Sequence, residues 1–452
     1  MNPELRRNLW LEITKHRLLA MPVVLGLAFL ALAAIDKPNA AEHVGWLGLG
    51  GFVVLTMLWG ARLAGNSIVD EIADKTWDWQ RLSTLGPWTM AWGKLFGATV
   101  FAWYGGLICL GVFLATPMAA KLNSPFKFAL SMLAMAIMMH AATIAVALHL
   151  CRNGAAVHRR SIGVLPLLLL IYVVPFAIVR AWGDRDAPQW YGVEFDGLNF
   201  LLASSLALAA WAILGAYRAM CQSLAVRTTP LVWLAFLAFI AAYAGGFANA
   251  GSASDGDATL ARTLAFAGAL TGLLATYVML FTEATGPLVL RRVQQKIRVR
   301  QWRRAAEELP CWPVAWLFAA LCAVVFAMIG MGSDGAMREF AGAAVPWTLL
   351  TARDAAIFLF FSAASRPKRV VGTTLVYMLV LDWILPGLLA AMGFKALAEW
   401  VFPIVPGNFA AQCASALLQA VVAGIFAWHR MQANVSTYSS TDLSKYGRAD
   451  SA

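Results

Sequence analysis

The chain has 452 residues, 60% of them apolar and 13% charged, with a formal net charge of +11. A soluble domain carries about 25% charged residues, so this composition excludes a large water-soluble domain and places the chain in the membrane class. The positive balance reads as a membrane-orientation signal and not as a nucleic-acid footprint, because no basic–aromatic repeat stands outside the apolar segments.

About twelve apolar segments of roughly 17–25 residues are long enough to cross the hydrocarbon layer. They are 18–35, 44–63, 95–116, 126–150, 162–182, 197–218, 230–248, 260–282, 312–331, 342–364, 371–393 and 408–429. Backbone groups in lipid must be satisfied within the segment, so helices are expected, and the lack of short alternating strands sets a barrel aside. The first segment ends in "ALAA" at 31–34, which looks like a signal-peptidase site. Its apolar run exceeds the about 7–15 residues of a signal core, and Glu4 and Glu12 stand in the leader, so a retained span is expected.

Orientation follows from Lys and Arg. With the N-terminus inside, Lys37, Lys121, Lys127, Arg180, Arg185, Arg262, Arg338 and Lys395 fall outside, Arg353 falls within a span, and the rest of the 35 fall inside. The expectation is an all-α integral membrane protein, N-in and C-in, with amphipathic cytoplasmic helices.

The connection after the second segment, "VDEIADKTWDWQRLSTLGPWTMAWGKL" (69–95), is strongly two-faced. Projected as one helix, 68–82 puts Ile68, Ile72, Trp79 and Leu82 on one face and Asp70, Glu71, Asp74, Asp78 and Arg81 on the other. Such a helix suits the membrane surface, indole down. Gly86-Pro87 ends it, with Pro87 opening a new helix that carries Trp88 and Trp92 at interface depth. Lipid-binding surface helices usually carry a basic polar face. This acidic face suits a protein partner better than an anionic leaflet.

The stretch resembles the permease subunits of ABC-2 type transporters. In that family an acid-rich segment leads through Thr to a Leu/Ser-rich run, then Pro, then Gly-Lys opening the third span. The matching positions are Glu71, Thr76, Leu82, Ser83, Pro87, Gly93 and Lys94; Lys75 stands where the family commonly has Gly. The resemblance covers about 64–105 and implies that 66–85 is a coupling helix docking on a separate ATP-hydrolysing subunit, with Asp70, Glu71, Asp74, Lys75, Thr76, Asp78 and Arg81 as docking residues. A phosphate loop is not expected on this chain. Gly86 and Gly93 are too far apart for a Walker A motif, and Leu95 stands where it needs Ser or Thr. ATP and Mg²⁺ would belong to the partner, leaving this chain without a cofactor and without catalytic residues.

Farther on, the basic stretch "LVLRRVQQKIRVRQWRRAAEELPCWPV" (288–314) resembles the N-terminal lead-in before the first span, and suits an anionic leaflet at about 1 kcal/mol per nearby Lys or Arg. "TARDAAIFLFFSAASRPKRVVG" (351–372) would then be a second, degenerate docking element. This divides the chain into an ABC-2-like half (1–225), an intervening pair of spans (226–282), a second transmembrane region (283–430) and a flexible cytoplasmic tail (431–452).

Arg353, Asp354, Asp382 and His140 are the intramembrane polar candidates. Arg353 and Asp354 are read as a helix end near the cytoplasm, with 355–364 lying flat, against the alternative of a gate or substrate path; Asp382 is a candidate partner for Arg353. His140 and His149 point to opposite sides of one helix and cannot share a metal. The six cysteines have no metal spacing and read as small buried hydrophobes. The polar outer loop 183–197 reads as aromatic-anchored. The expected function is that of the permease subunit of an export system in the cytoplasmic (inner) membrane. Its partners would be the ABC ATPase, membrane lipid and, where one chain does not complete the pore, a second permease copy. The rival is an ion-coupled secondary transporter.

Overall fold

The computed structural model describes residues 2–35, 39–152, 188–248, 256–283, 287–332, 335–364, 370–402 and 408–446. Among these, nine helices are long and apolar enough to cross a membrane. A tenth span is the pair Pro87–Gly97 and Val100–Leu114, bent by 49°. The helix Leu231–Ala248 is apolar but shorter, and the expected segment 162–182 lies outside the described residues. The protein is a multi-pass, all-α membrane protein.

The chain divides into two compact units. One comprises Met1–Pro188 with Glu194–Thr228, the other Gln189–Val193 with Thr229–Ala452. The helices Leu231–Ala248 and Gly256–Thr282 therefore pack with the spans that follow them.

Each unit repeats one packing order. In the first, Lys15–Ile35 packs on Ala40–Ala73 and on the third span, and Ala40–Ala73 packs on the third span and on Pro125–Arg152, which packs on Gly197–Ser223. In the second, Leu231–Ala248 packs on Gly256–Thr282 and on Cys311–Gly330; Gly256–Thr282 packs on Cys311–Gly330 and on Ala336–Ser362, which packs on Phe409–Tyr446. The same five pairings recur in the same chain order.

Small residues let these helices approach. A Cβ on Gly48 would meet the Cys109 carbonyl oxygen at 2.8 Å, and one on Gly272 would meet the Ala319 backbone at 2.9 Å. In lipid, where apolar burial drives little association, such close van der Waals packing holds spans together.

Three spans widen locally into π-helix, at Val53–Gly60, Gly93–Gly97 and Val380–Ile384. Each carries a buried polar contact: Thr56, Lys94 and Asp382. Such bulges concentrate at functional sites.

The last helix runs on to Tyr446, through the polar segment expected to be flexible. No Pro or Gly interrupts it between Gly424 and Tyr446. Before Gly197–Ser223, a two-stranded hairpin, Gln189–Trp190 and Val193–Glu194, turns through Tyr191 and Gly192 with φ of 52° and 73°. It is pinned by Trp190 Nε1 donating to Tyr243 O (3.0 Å) and Tyr191 OH donating to Ala242 O (2.6 Å).

Candidate functional site

The second span ends in a Schellman turn. Thr76 N–H donates to Glu71 O at 2.9 Å, Lys75 N–H to Ile72 O at 3.2 Å, and Lys75 is left-handed with φ 57°. The segment is therefore not one helix over 68–82. The helix Ala61–Ala73 stops, and a short helix Trp77–Arg81 starts in a new direction. The left-handed residue resets the rotation, so Trp77, and not Trp79, shares the inner face of Ile68. Trp77 is buried with Ile68, Met90 and Ile144, whereas Trp79 and Leu82 are 77% and 82% exposed.

Glu71 faces inward and holds the turn in place. Its carboxylate accepts from Arg7 Nη2 (2.7 Å), from Gln80 Nε2 (2.7 Å) and from Lys94 Nζ. Lys94 is 1% exposed, lies 3.7 Å from Glu4 and sits 5.7 Å from the Trp77 ring centroid. Two acids and two bases thus form a neutral node joining the N-terminal helix Pro3–Glu12, the end of the second span and the foot of the third. The Gly-Lys pair has a physical reason here. A Cβ on Gly93 would lie 2.4 Å from Glu4 Cγ, and one on Gly97 would lie 2.8 Å from Asn8 Cβ. Glu4 and Asn8, one helical turn apart, rest on a Gly-xxx-Gly groove.

Of the expected docking residues, Asp74, Lys75, Thr76, Asp78 and Arg81 are exposed, Asp70 is half-buried, and Glu71 belongs to the node. Arg7, Glu4, Gln80 and Trp77 were not singled out from the sequence. The Gly93-xxx-Gly97 spacing was a signal for the close approach of Glu4 alone among these.

The second unit carries a turn of the same type between its second helix and Cys311–Gly330, though here it ends a separate helix and its Trp is exposed. After its second helix come Pro287–Arg298 and Trp302–Glu308, joined by a Schellman turn with Arg300 at φ 57° and Gln301 N–H donating to Lys296 O at 2.8 Å. A cation in left-handed geometry is followed two residues later by Trp in both units: Lys75 and Trp77, Arg300 and Trp302. In both, a carboxylate at the end of the second helix ties down the foot of the next. Glu283 accepts from Cys311 N at 2.7 Å, at the N-terminus of Cys311–Gly330. The charge is opposite, however. Ile297, Val299 and Trp302 are exposed beside Arg298, Arg300, Arg303 and Arg304.

The 288–314 stretch holds this turn and lies between Gly256–Thr282 and the start of Cys311–Gly330, as 74–86 lies between the second and third spans of the first unit. Arg353 and Asp354 lie inside the unbroken helix Ala336–Ser362, so they are not a helix end and 355–362 does not turn off as a separate flat segment; 365–369 lies outside the described residues. The helix continues because its charges are satisfied within the unit. Arg353 donates from Nε and Nη2 to Asp354 Oδ1 (3.0 and 2.7 Å), from Nη2 to Asp382 and from Nη1 to Gln419 Oε1 (2.9 Å). Tyr277 OH donates to Asp354 Oδ2 at 2.7 Å. An unpaired charge at such depth costs about 2.5–3.5 kcal/mol on insertion scales, which explains why four helices contribute partners. Beside this cluster a cavity of about 410 Å³ is lined by Arg353, Gln419 and mostly aromatic and aliphatic side chains, among them Phe360, Phe361, Tyr377 and Phe426.

His140 stands apart in the first unit. Its Nε2 lies 2.7 Å from Thr56 O and its ring packs edge-on to Trp103 at 5.3 Å.

No family profile matches the chain. No curated protein and no solved structure is significantly similar to it.

Proposed function

We propose that this chain is the membrane-spanning permease subunit of an ATP-driven export system of the ABC-2 type, multi-pass in the cytoplasmic membrane, with ATP and Mg²⁺ bound by a separate ATPase. One observation carries the reading: after the second span of the first unit stands a short Trp-headed helix whose outer face is exposed and whose root is tied by a carboxylate to the foot of the third span. A push on the outer face reaches the bundle through the root. In the first unit the root is a buried ion pair, which transmits displacement because separating it leaves charge unpaired in a low-dielectric setting. Lys75 supports the resemblance: its backbone adopts the conformation that glycine, the residue common there in the family, takes without strain.

The exposed carboxylates Asp74 and Asp78, with Trp79 and Leu82 beside them, form the docking face for the ATPase. The arginine-rich turn 298–304 gives the second unit a lever that also rests on anionic lipid. Export, rather than import, comes from the resemblance. A second reading, an ion-coupled transporter, is favoured by the buried Arg353 cluster.

A Walker A ATPase encoded beside this chain, co-expressed with it, is expected to copurify with the wild type and to be lost with Asp74→Arg plus Asp78→Arg. Failure of the wild type to capture it, or equal capture by the variant, contradicts the proposal.

A further inference from the structure

The two buried ionic nodes differ in charge balance. Around Lys94, Glu4 and Glu71 are matched by Arg7 and Lys94. Around Arg353, two carboxylates share one guanidinium, and among the described residues no second cation reaches either of them. The helix Gly256–Thr282 contributes the Tyr277 hydroxyl, Ala336–Ser362 contributes Arg353 and Asp354, and Phe409–Tyr446 contributes the neutral Gln419 amide. Tyr277 donates to Asp354, which eases that carboxylate without removing the excess negative charge.

The node lies deep. At roughly 1.5 Å per residue, Arg353 is about 14 Å inside the helix end at Ser362 and Asp382 about 14 Å inside the span end at Ala391. Both depths correspond to the middle of a hydrocarbon layer about 30 Å thick. A net negative charge there is disfavoured, and the simplest remedy is a proton on one carboxylate. Asp354 has a bonding partner on each oxygen, Arg353 on Oδ1 and Tyr277 on Oδ2. Asp382 is bonded through Oδ1 to Arg353 alone, sits on a π-helical turn, and keeps 11% side-chain exposure against 2% for Asp354.

We propose that Asp382 is a proton-binding site of the second unit, taking one proton from water onto its carboxylate so that the Arg353–Asp354–Asp382 node becomes neutral. Binding forms one O–H bond on Asp382 and leaves the Arg353–Asp354 pair intact; release restores the excess charge. The node borders the cavity through Arg353 and Gln419. This inference stands on charge balance and geometry within one unit and does not rest on an ATPase partner.

The test is infrared spectroscopy of the full-length chain in lipid nanodiscs, titrated between mildly acidic and mildly alkaline buffer. The wild type is expected to show a protonated-carboxyl band that fades on the alkaline side and shifts in heavy water. Asp382→Asn is expected to remove it, since the amide keeps the size and the acceptor for Arg353 without the acid. Asp354→Asn is expected to remove it too, because the remaining pair is balanced. Absence of the band from the wild type overturns the proposal, a result that needs no variant to fold. Persistence of the band in monodisperse Asp382→Asn or Asp354→Asn protein also overturns it.

Discussion

Glu71, at the end of the second span, and Lys94, at the foot of the third, form an ion pair in which the lysine is almost wholly buried. The intervening loop is thereby held at its root and open at its tip. Removing Lys94 alone leaves Glu71 and Glu4 to share Arg7, one acid in excess. Lys94→Met is expected to destabilise the first unit by about 3–5 kcal/mol, and the double variant Glu71→Gln/Lys94→Met by much less. Thermal unfolding in detergent, run as a double-mutant cycle, reads the difference.

Gly93 makes room for the N-terminal helix. Gly93→Val is expected to push Glu4 off the third span and to cost about 1–3 kcal/mol as overpacking. Faster proteolytic cleavage near residue 12 would report the freed helix. Gly86→Ala, where a Cβ would meet nothing within 4 Å, is the control and is expected to leave cleavage unchanged.

Left-handed geometry costs a lysine or arginine roughly 1–2 kcal/mol, part of which glycine returns as unfolded-chain entropy. Lys75→Gly and Arg300→Gly are each expected to raise stability by about 0.5–1 kcal/mol, measured as a rise in melting temperature. A fall at either position would contradict the Schellman turn there.

The Arg353 cluster responds asymmetrically. Arg353→Gln leaves Asp354 without its counter-ion and is expected to cost about 3–5 kcal/mol, whereas Asp382→Asn keeps the node neutral without a bound proton and is expected to be neutral or stabilising. The two melting temperatures, measured side by side at neutral pH, decide it.

Much of the architecture was legible because apolar length is a strong signal in lipid. Ten of the twelve expected spans have counterparts among the described helices that qualify by length and apolarity, counting the bent pair as one, and an eleventh segment matches the shorter helix Leu231–Ala248. The acidic loop was legible as an element apart, but its inner and outer faces were not. Periodicity assumes one continuous helix, and the single left-handed residue at Lys75 turned Trp77 inward and Trp79 outward. Glu71 read as a docking acid because its three partners come from Arg7, Gln80 and Lys94, none of them on its own helical face. The pairing of Arg353 with Asp382 could be suggested from charge cost, whereas Tyr277 and Gln419 carry no sequence mark of their role. The like turns at Lys75 and Arg300 were hidden by the different stretches around them, one acidic and one basic.

The most direct measurement of the central claim is ATP hydrolysis by the partner ATPase bound to this chain in nanodiscs, comparing wild type with Glu71→Gln/Lys94→Met. The double variant leaves Asp74 and Asp78 on the docking face and removes the buried pair at the root. It is expected to bind the ATPase as the wild type does while its presence no longer changes the hydrolysis rate. A variant that binds and still changes the rate as fully as wild type would contradict transmission through Glu71 and Lys94.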